Sequence, residues 1–184
     1  MSNQHNPNWP KWAVEAVEIV EHDPKWLEKG ELERMQLLRL LSSYGVTEIE
    51  HIGSTSVTAL AAKPIIDLMA QIATYSDIER IARKLSGSEW HYVPPELDGQ
   101  PWRRFFVKVK NDKRVAHLHL MLDTEERWGK QLQFRNILRE QPNLSKRYAE
   151  LKEKLAADYK EDREAYTAAK SEFITNVLES GKRS

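Results

Sequence analysis

The segment Pro64-Ile65-Ile66-Asp67-Leu68-Met69-Ala70-Gln71-Ile72 carries one carboxylate inside an almost unbroken apolar run. A strand that is apolar at consecutive positions has both faces covered, so this run predicts an interior strand of a sheet. An ionised carboxylate in such a strand is costly unless it pairs or binds a cation. Either a base such as Lys63 neutralises Asp67, or Asp67 holds a metal or a substrate. Upstream, Thr47 to Ile52 reads as a second strand that ends in His51-Ile52-Gly53-Ser54-Thr55-Ser56. Glycine lets a ligand approach the backbone closely, and the free N–H groups of such a turn, with its hydroxyls, can accept phosphate oxygens.

The rest of the chain sets the architecture. Met35, Leu38 and Leu41 recur at helical spacing beside Leu37, Leu40 and Tyr44, which predicts a helix over Lys25 to Tyr44 stopped by Gly45. The β-branched content of Ala13 to Val20 predicts a short strand before His22-Asp23-Pro24. Ser76 and Glu79 make a capping box for a helix reaching about Leu85, with Gly87 beyond it. Arg103 to Lys110 and Arg114 to Leu122 predict a hairpin joined through Asn111-Asp112-Lys113. Asp123 with Glu126 caps a helix to about Glu140. Pro142 opens another, striped by Leu144, Tyr148, Leu151 and Leu155, and a last one runs from Arg163, striped by Tyr166, Ala169, Phe173 and Val177. Strands alternating with helices, then a hairpin, then three helices predict an α+β (mixed α/β) fold with the C-terminal helices packed on the sheet. We expect one domain over residues 13–180 behind a flexible N-terminus at 1–12.

Charge and composition narrow the function. The 184 residues contain no cysteine, which removes disulfides and thiolate zinc sites and fits a reducing, cytoplasmic setting. Met1 to Pro10 lacks the apolar core of a signal peptide, and no apolar run reaches the roughly 18 residues needed to span a bilayer. The 28 basic residues balance the 28 acidic ones, which argues against a nucleic-acid or membrane partner. Locally, Arg103, Arg104, Lys108, Lys110, Lys113 and Arg114 face a single acid, Asp112, between Pro101 and His119. That strip is either anion-facing or an ordinary solvated face.

Several stretches together resemble the GrpB family: Glu50 to Thr55, Leu60 to Asp67, Arg104-Phe105-Phe106, His117-Leu118-His119, Phe134-Arg135 and Asp162 to Tyr166. The resemblance runs from about Val17 to Leu178. It implies a nucleotidyltransferase-like mixed sheet, in which a hydrophobic-Gly-Gly/Ser turn precedes a strand bearing Asp-hydrophobic-Asp; a related domain is fused to dephospho-CoA kinase in some bacteria. Two departures stand out. The family's Val-Pro-Gly-Leu is here Val57-Thr58-Ala59-Leu60, and the second carboxylate of the strand is replaced by Met69. Two-Mg²⁺ transfer relies on paired carboxylates, and one aspartate does not supply them.

His117 and His119 alternate on one strand and so project to one face. With Asp67 they make a two-His-one-carboxylate set for a divalent metal (Mg, Mn or Zn), and His51 is a candidate fourth ligand; alternating histidines also mark an ordinary hydrogen-bonded face. Arg135 falls on the apolar stripe of Trp128 and Leu138, so it meets either a carboxylate such as Glu50 or Asp67, or a bound anion. Lys152, Lys170, Arg104 and Lys108 are each snorkelling surface side chains or, together with Arg135, the basic wall of one pocket. Trp26, Trp90, Trp102 and Trp128 read as core or pocket wall.

The leading expectation is a domain that binds a nucleotide or other phosphorylated small molecule through His51, Gly53, Ser54, Thr55, Lys63 and the basic wall. Nucleotidyl transfer would centre on Asp67 and His119. The alternatives are a non-catalytic ligand-binding or accessory module, favoured by Met69, and a metal-dependent hydrolase using Asp67 with His117 and His119.

Overall fold

The computed structural model describes residues 10–16, 18–159 and 162–180. Helix α1 (Lys25–Leu41) buries Trp26, Leu37 and Leu41, and a 3-10 turn at Ser42–Tyr44 leads to Gly45 at φ 83°. Strands β1 (Ile49–Ile52) and β2 (Ile66–Ile72) flank the Gly-Ser turn as expected. Helix α2 (Ile78–Ser86), strand β3 (Trp90–Val93) and the short α3 (Pro95–Asp98) lead to β4 (Arg103–Lys110) and β5 (Lys113–Leu122). Helices α4 (Arg127–Glu140), α5 (Pro142–Asp158), α6 (Arg163–Ala169) and α7 (Ser171–Ser180) complete the chain. None of the described helices is long and apolar enough to cross a membrane.

The sheet order is β1-β2-β5-β4-β3, with β2 and β5 parallel and every other neighbouring pair antiparallel. The apolar run is thus an interior strand. Residues paired across strands share a face. One face carries Leu68, Ala70, Leu118, Leu120 and Phe106, packed against Trp26, Leu37 and Leu41 of α1 and Ile81 and Leu85 of α2. The other face carries Asp67 beside His117 and Met69 beside His119, with Phe105 opposite His119. Trp128 and Leu132 of α4 reach this second face at Ile52, Met69 and Met121. Val57 and Leu60, just past the Gly-Ser turn, pack with Phe134, Leu138, Tyr148 and Val177.

Several local expectations are corrected. Residues 1–9 of the expected flexible N-terminus lie outside the described residues. Ala13 to Val20 is not a strand: Lys11–Val14 is a 3-10 turn, and Val20 makes an isolated bridge to Ala62. The Arg114 guanidinium takes the carbonyls of Trp12 (2.7 Å) and Ala13 (3.0 Å), acceptors a strand would need for a ladder. Ser76 does not cap α2. Asp77 is the N-cap, and its carboxylate turns to Arg80 at 3.0 Å. Asp123 likewise does not cap α4, whose first residue donates its N–H to Glu125 at 3.2 Å. The hairpin turn is two residues, not three, because Asn111 (φ 52°) and Asp112 (φ 59°) both enter the left-handed region that matches strand twist. The last predicted helix is two, parted at Lys170, and β3 and α3 are too short, at four residues each, to show a periodicity.

Candidate functional site

Gly53 leaves β1 at φ 70°, ψ −175°, a region essentially reserved for glycine. A Cβ there would stand 2.7 Å from Asp67 Oδ2, so the turn is pressed against the carboxylate. Ser54 follows on the site side, while Ser56 Oγ donates back to the Gly53 carbonyl at 2.6 Å and closes the turn.

Asp67 is half-buried, with 31% of its side chain accessible. It is nevertheless well partnered. His117 Nδ1 lies 2.9 Å and His119 Nε2 3.8 Å from its Oδ1. Burial would raise the Asp67 carboxyl, but the hydrogen bond from His117 and the proximity of His119 outweigh it and hold the group well below the usual carboxylate range. Burial pushes His117 down to about 4 and lowers His119 in the same sense, so both rings are neutral at neutral pH. The tautomers follow from the partners. A carboxylate only accepts, so His117 Nδ1 carries the proton and its Nε2, buried and without a hydrogen-bond partner among the described residues, keeps a lone pair. Arg103 only donates, so His119 Nδ1 accepts from it and Nε2–H faces Asp67. Arg103 is itself fixed by the two-bond fork it donates to Asp98, at 2.9 and 2.6 Å.

A basic wall stands opposite the turn. Lys152 of α5 is 2% exposed, and its Nζ donates to Ser54 Oγ at 2.9 Å and to the Ala61 carbonyl. Both partners are neutral. Burial, with Lys170 nearby, lowers Lys152 to about 7; burial lowers Lys170 to about 8 against the pull of Asp67. Lys63 (4.0 Å) and Lys170 (4.5 Å) both stand over the Tyr166 ring. Burial raises the Tyr166 phenol to about 12.

The fold thus brings together Gly53, Ser54, Asp67, His117, His119, Lys152 and Lys170, with Lys63 at the rim. Five other expected site residues lie elsewhere. His51 pairs with Leu68 and so sits on the opposite face from Asp67, under Gly30 of α1, which removes it as a fourth metal ligand. Its Nε2 meets Thr55 Oγ1 at 3.0 Å, and that hydroxyl donates to the Ile65 carbonyl at 3.1 Å. Thr55 is 1% exposed, so both groups staple the turn and neither faces a ligand. Arg104 and Lys108 pair with Leu120 and Ala116, again the opposite face. The Arg104 guanidinium covers Tyr75 at 4.0 Å, and Lys108 is locked to Glu33 at 2.7 Å. Arg135 faces inward as its helical phase predicts, bonded to Glu50 and to the His51 carbonyl (3.0 Å), outside the Asp67 cluster. Sequence reading placed Arg103 in the basic strip and not beside Asp67. The hairpin register would have found it, since pairing Phe105 with His119 puts odd-numbered β4 residues on the site face.

The comparisons with known proteins bear on this arrangement. The model of the family described as "GrpB protein" matches residues 16–180. The chain belongs to the GrpB family. It is 34% identical to the UPF0157 protein YqkA of Bacillus subtilis over 91% of its own length but only 48% of that protein's, so it spans about half of that relative. It is 29% identical to the glutamate-rich protein GrpB of Alkalihalophilus pseudofirmus, covering 88% of this chain and 94% of the relative. The crystal structure of GrpB from Enterococcus faecalis superposes with a TM-score of 0.77 at 30% identity, over 89% of this chain and 96% of that one. Cid1 in complex with the UTP analog UMPNPP matches at TM-score 0.51 and 12% identity, over 82% of this chain and 48% of Cid1, a likeness of fold. This GrpB-family sheet is therefore nucleotidyltransferase-like. At the expected second carboxylate stands Met69, fully buried in an apolar cluster with Ile52 and Met121.

Proposed function

We propose that the chain binds a phosphorylated small molecule, most directly a nucleotide, with its phosphates between the Gly53–Ser54 turn and Lys152 and Lys170. One observation carries the reading: Lys152 is nearly inaccessible, yet among the described residues its partners are a hydroxyl and a carbonyl, with no carboxylate. A buried ammonium without a counter-charge is unfavourable, and a phosphate supplies that charge. Cid1, of like fold, is crystallised with a UTP analog, which supports the nucleotide class.

Asp67, His117 and His119 have three candidate ligand atoms within 4.8 Å of one another, and an ion bound there would take the place of the ring protons that now face Asp67. A set of two neutral imidazoles and one carboxylate suits zinc, manganese or iron(II) better than magnesium. Such an ion would supply charge to phosphate oxygens at this point of the sheet. Met69 favours binding without Mg²⁺-dependent transfer.

Isothermal titration with ATP, UTP and inorganic triphosphate tests the reading. We expect binding of the polyphosphate compounds, weakened about tenfold or more in Lys170→Met. Absence of binding by all three compounds to the folded protein removes the proposal.

A further inference from the structure

The contact between Ser54 and Lys152 has a chemistry of its own. Ser54 sits directly after a glycine-only backbone position, at the head of a 3-10 turn, and remains partly accessible. Lys152 Nζ lies 2.9 Å from its Oγ, is 2% exposed, and is oriented by the Ala61 carbonyl. An amine has one lone pair and two N–H groups in its neutral form. With one N–H on Ala61, the lone pair is free to accept the Ser54 hydroxyl proton. A strand-Gly-Ser turn with a lysine from a distant helix on the hydroxyl is the layout of a nucleophile and its base.

We propose that Ser54 and Lys152 form a serine–lysine dyad in which Ser54 attacks a phosphorus electrophile, a phosphate ester or anhydride, and becomes covalently modified. The class of electrophile rests on the phosphate-binding reading above; the dyad itself rests on the contact. As the Ser54 Oγ–P bond forms, the hydroxyl proton passes to the Lys152 amine and the bond from phosphorus to the leaving oxygen breaks. The Lys152 ammonium then returns the proton to that leaving oxygen. The two lysines divide the roles: Lys170 keeps a proton to hold phosphate charge, while Lys152, lowered to about 7, has a neutral fraction at physiological pH. Its surroundings are consistent with this, because burial and Lys170 oppose its charge more than Glu153 favours it, and Tyr148 presents a ring at 5.0 Å.

The test uses diisopropyl fluorophosphate, whose reaction releases fluoride as Ser54 Oγ bonds to phosphorus. We expect a single adduct, located on Ser54 by peptide mass spectrometry and absent from Ser54→Ala. Lys152→Arg keeps the positive charge and hydrogen-bonding capacity but offers no base, so its labelling rate should fall about 100-fold. Circular dichroism and the thermal unfolding transition of each variant separate lost chemistry from lost folding. Wild type that binds triphosphate but is not labelled overturns the dyad and leaves the binding reading intact. Labelling without triphosphate binding does the reverse. Equal labelling rates in wild type and folded Lys152→Arg also overturn it.

Discussion

Ala59 occupies a left-handed backbone position, φ 62°. Such a conformation costs an L-residue about 1–2 kcal/mol, and glycine's extra unfolded-state entropy returns about 0.5–1 kcal/mol of that. Ala59→Gly should therefore stabilise the protein by about 0.5–1 kcal/mol, read as a higher urea midpoint at unchanged m. A lower midpoint would mean that the turn after Ser54 is not strained. His51, on the buried face, makes a second prediction at this scale. Burial lowers its folded pKa to about 4, against 6.5 for the free side chain. Between those values the unfolded chain binds the proton better, so the contribution is fully present above pH 6.5 and is lost as pH falls toward 4. The loss should be on the order of 1–3 kcal/mol. An NMR titration of the His51 ring with a midpoint near 6.5 would show that it is not held neutral.

At the scale of elements, the tie between α1 and β4 is the Lys108–Glu33 pair, with 4% and 17% of their side chains exposed. Lys108 crosses into the apolar core with its ammonium over Trp90 at 5.7 Å. Removing one partner strands a buried charge, so Glu33→Gln should destabilise by about 3 kcal/mol. Replacing both, as Glu33→Leu with Lys108→Met, should come back to within about 1 kcal/mol of wild type. Additive losses in this double-mutant cycle would mean the two side chains act independently. The pair also explains why Lys108, for all its place in a basic strip, is not available to a ligand. Arg135 acts alike between α4 and β1, where Glu50, beside Met69 in register, is already engaged by it.

For the whole molecule, metal binding should read out as stability by mass action. Zn²⁺ at about 100 times its Kd adds about 2.7 kcal/mol, which for a chain of this size raises Tm by about 5–10 °C. Mg²⁺ alone should leave Tm unchanged, and Asp67→Asn and His119→Ala should each abolish the Zn²⁺ shift. A Zn²⁺ shift that survives both substitutions would place the ion elsewhere. Mg²⁺-dependent nucleotidyl transfer surviving His119→Ala would contradict the metal set outright.

By itself the sequence determined the elements whose signal is local and long enough to repeat. Helix α1, the interior strand β2, the hairpin and the inward phase of Arg135 all follow from spacing along a single segment. The glycine requirement at Gly53 was legible too, as was the oddity of Asp67 in an apolar strand. Tertiary structure alone decided which face of the sheet each of these residues serves. Sheet faces alternate every residue, so a shift of one position separates Arg103 in the site from Arg104 outside it, and Ile52 beside Asp67 from His51 behind it. The Lys152–Ser54 contact joins residues 98 apart in sequence, and no local periodicity encodes a meeting that exists only once α5 has packed over the turn.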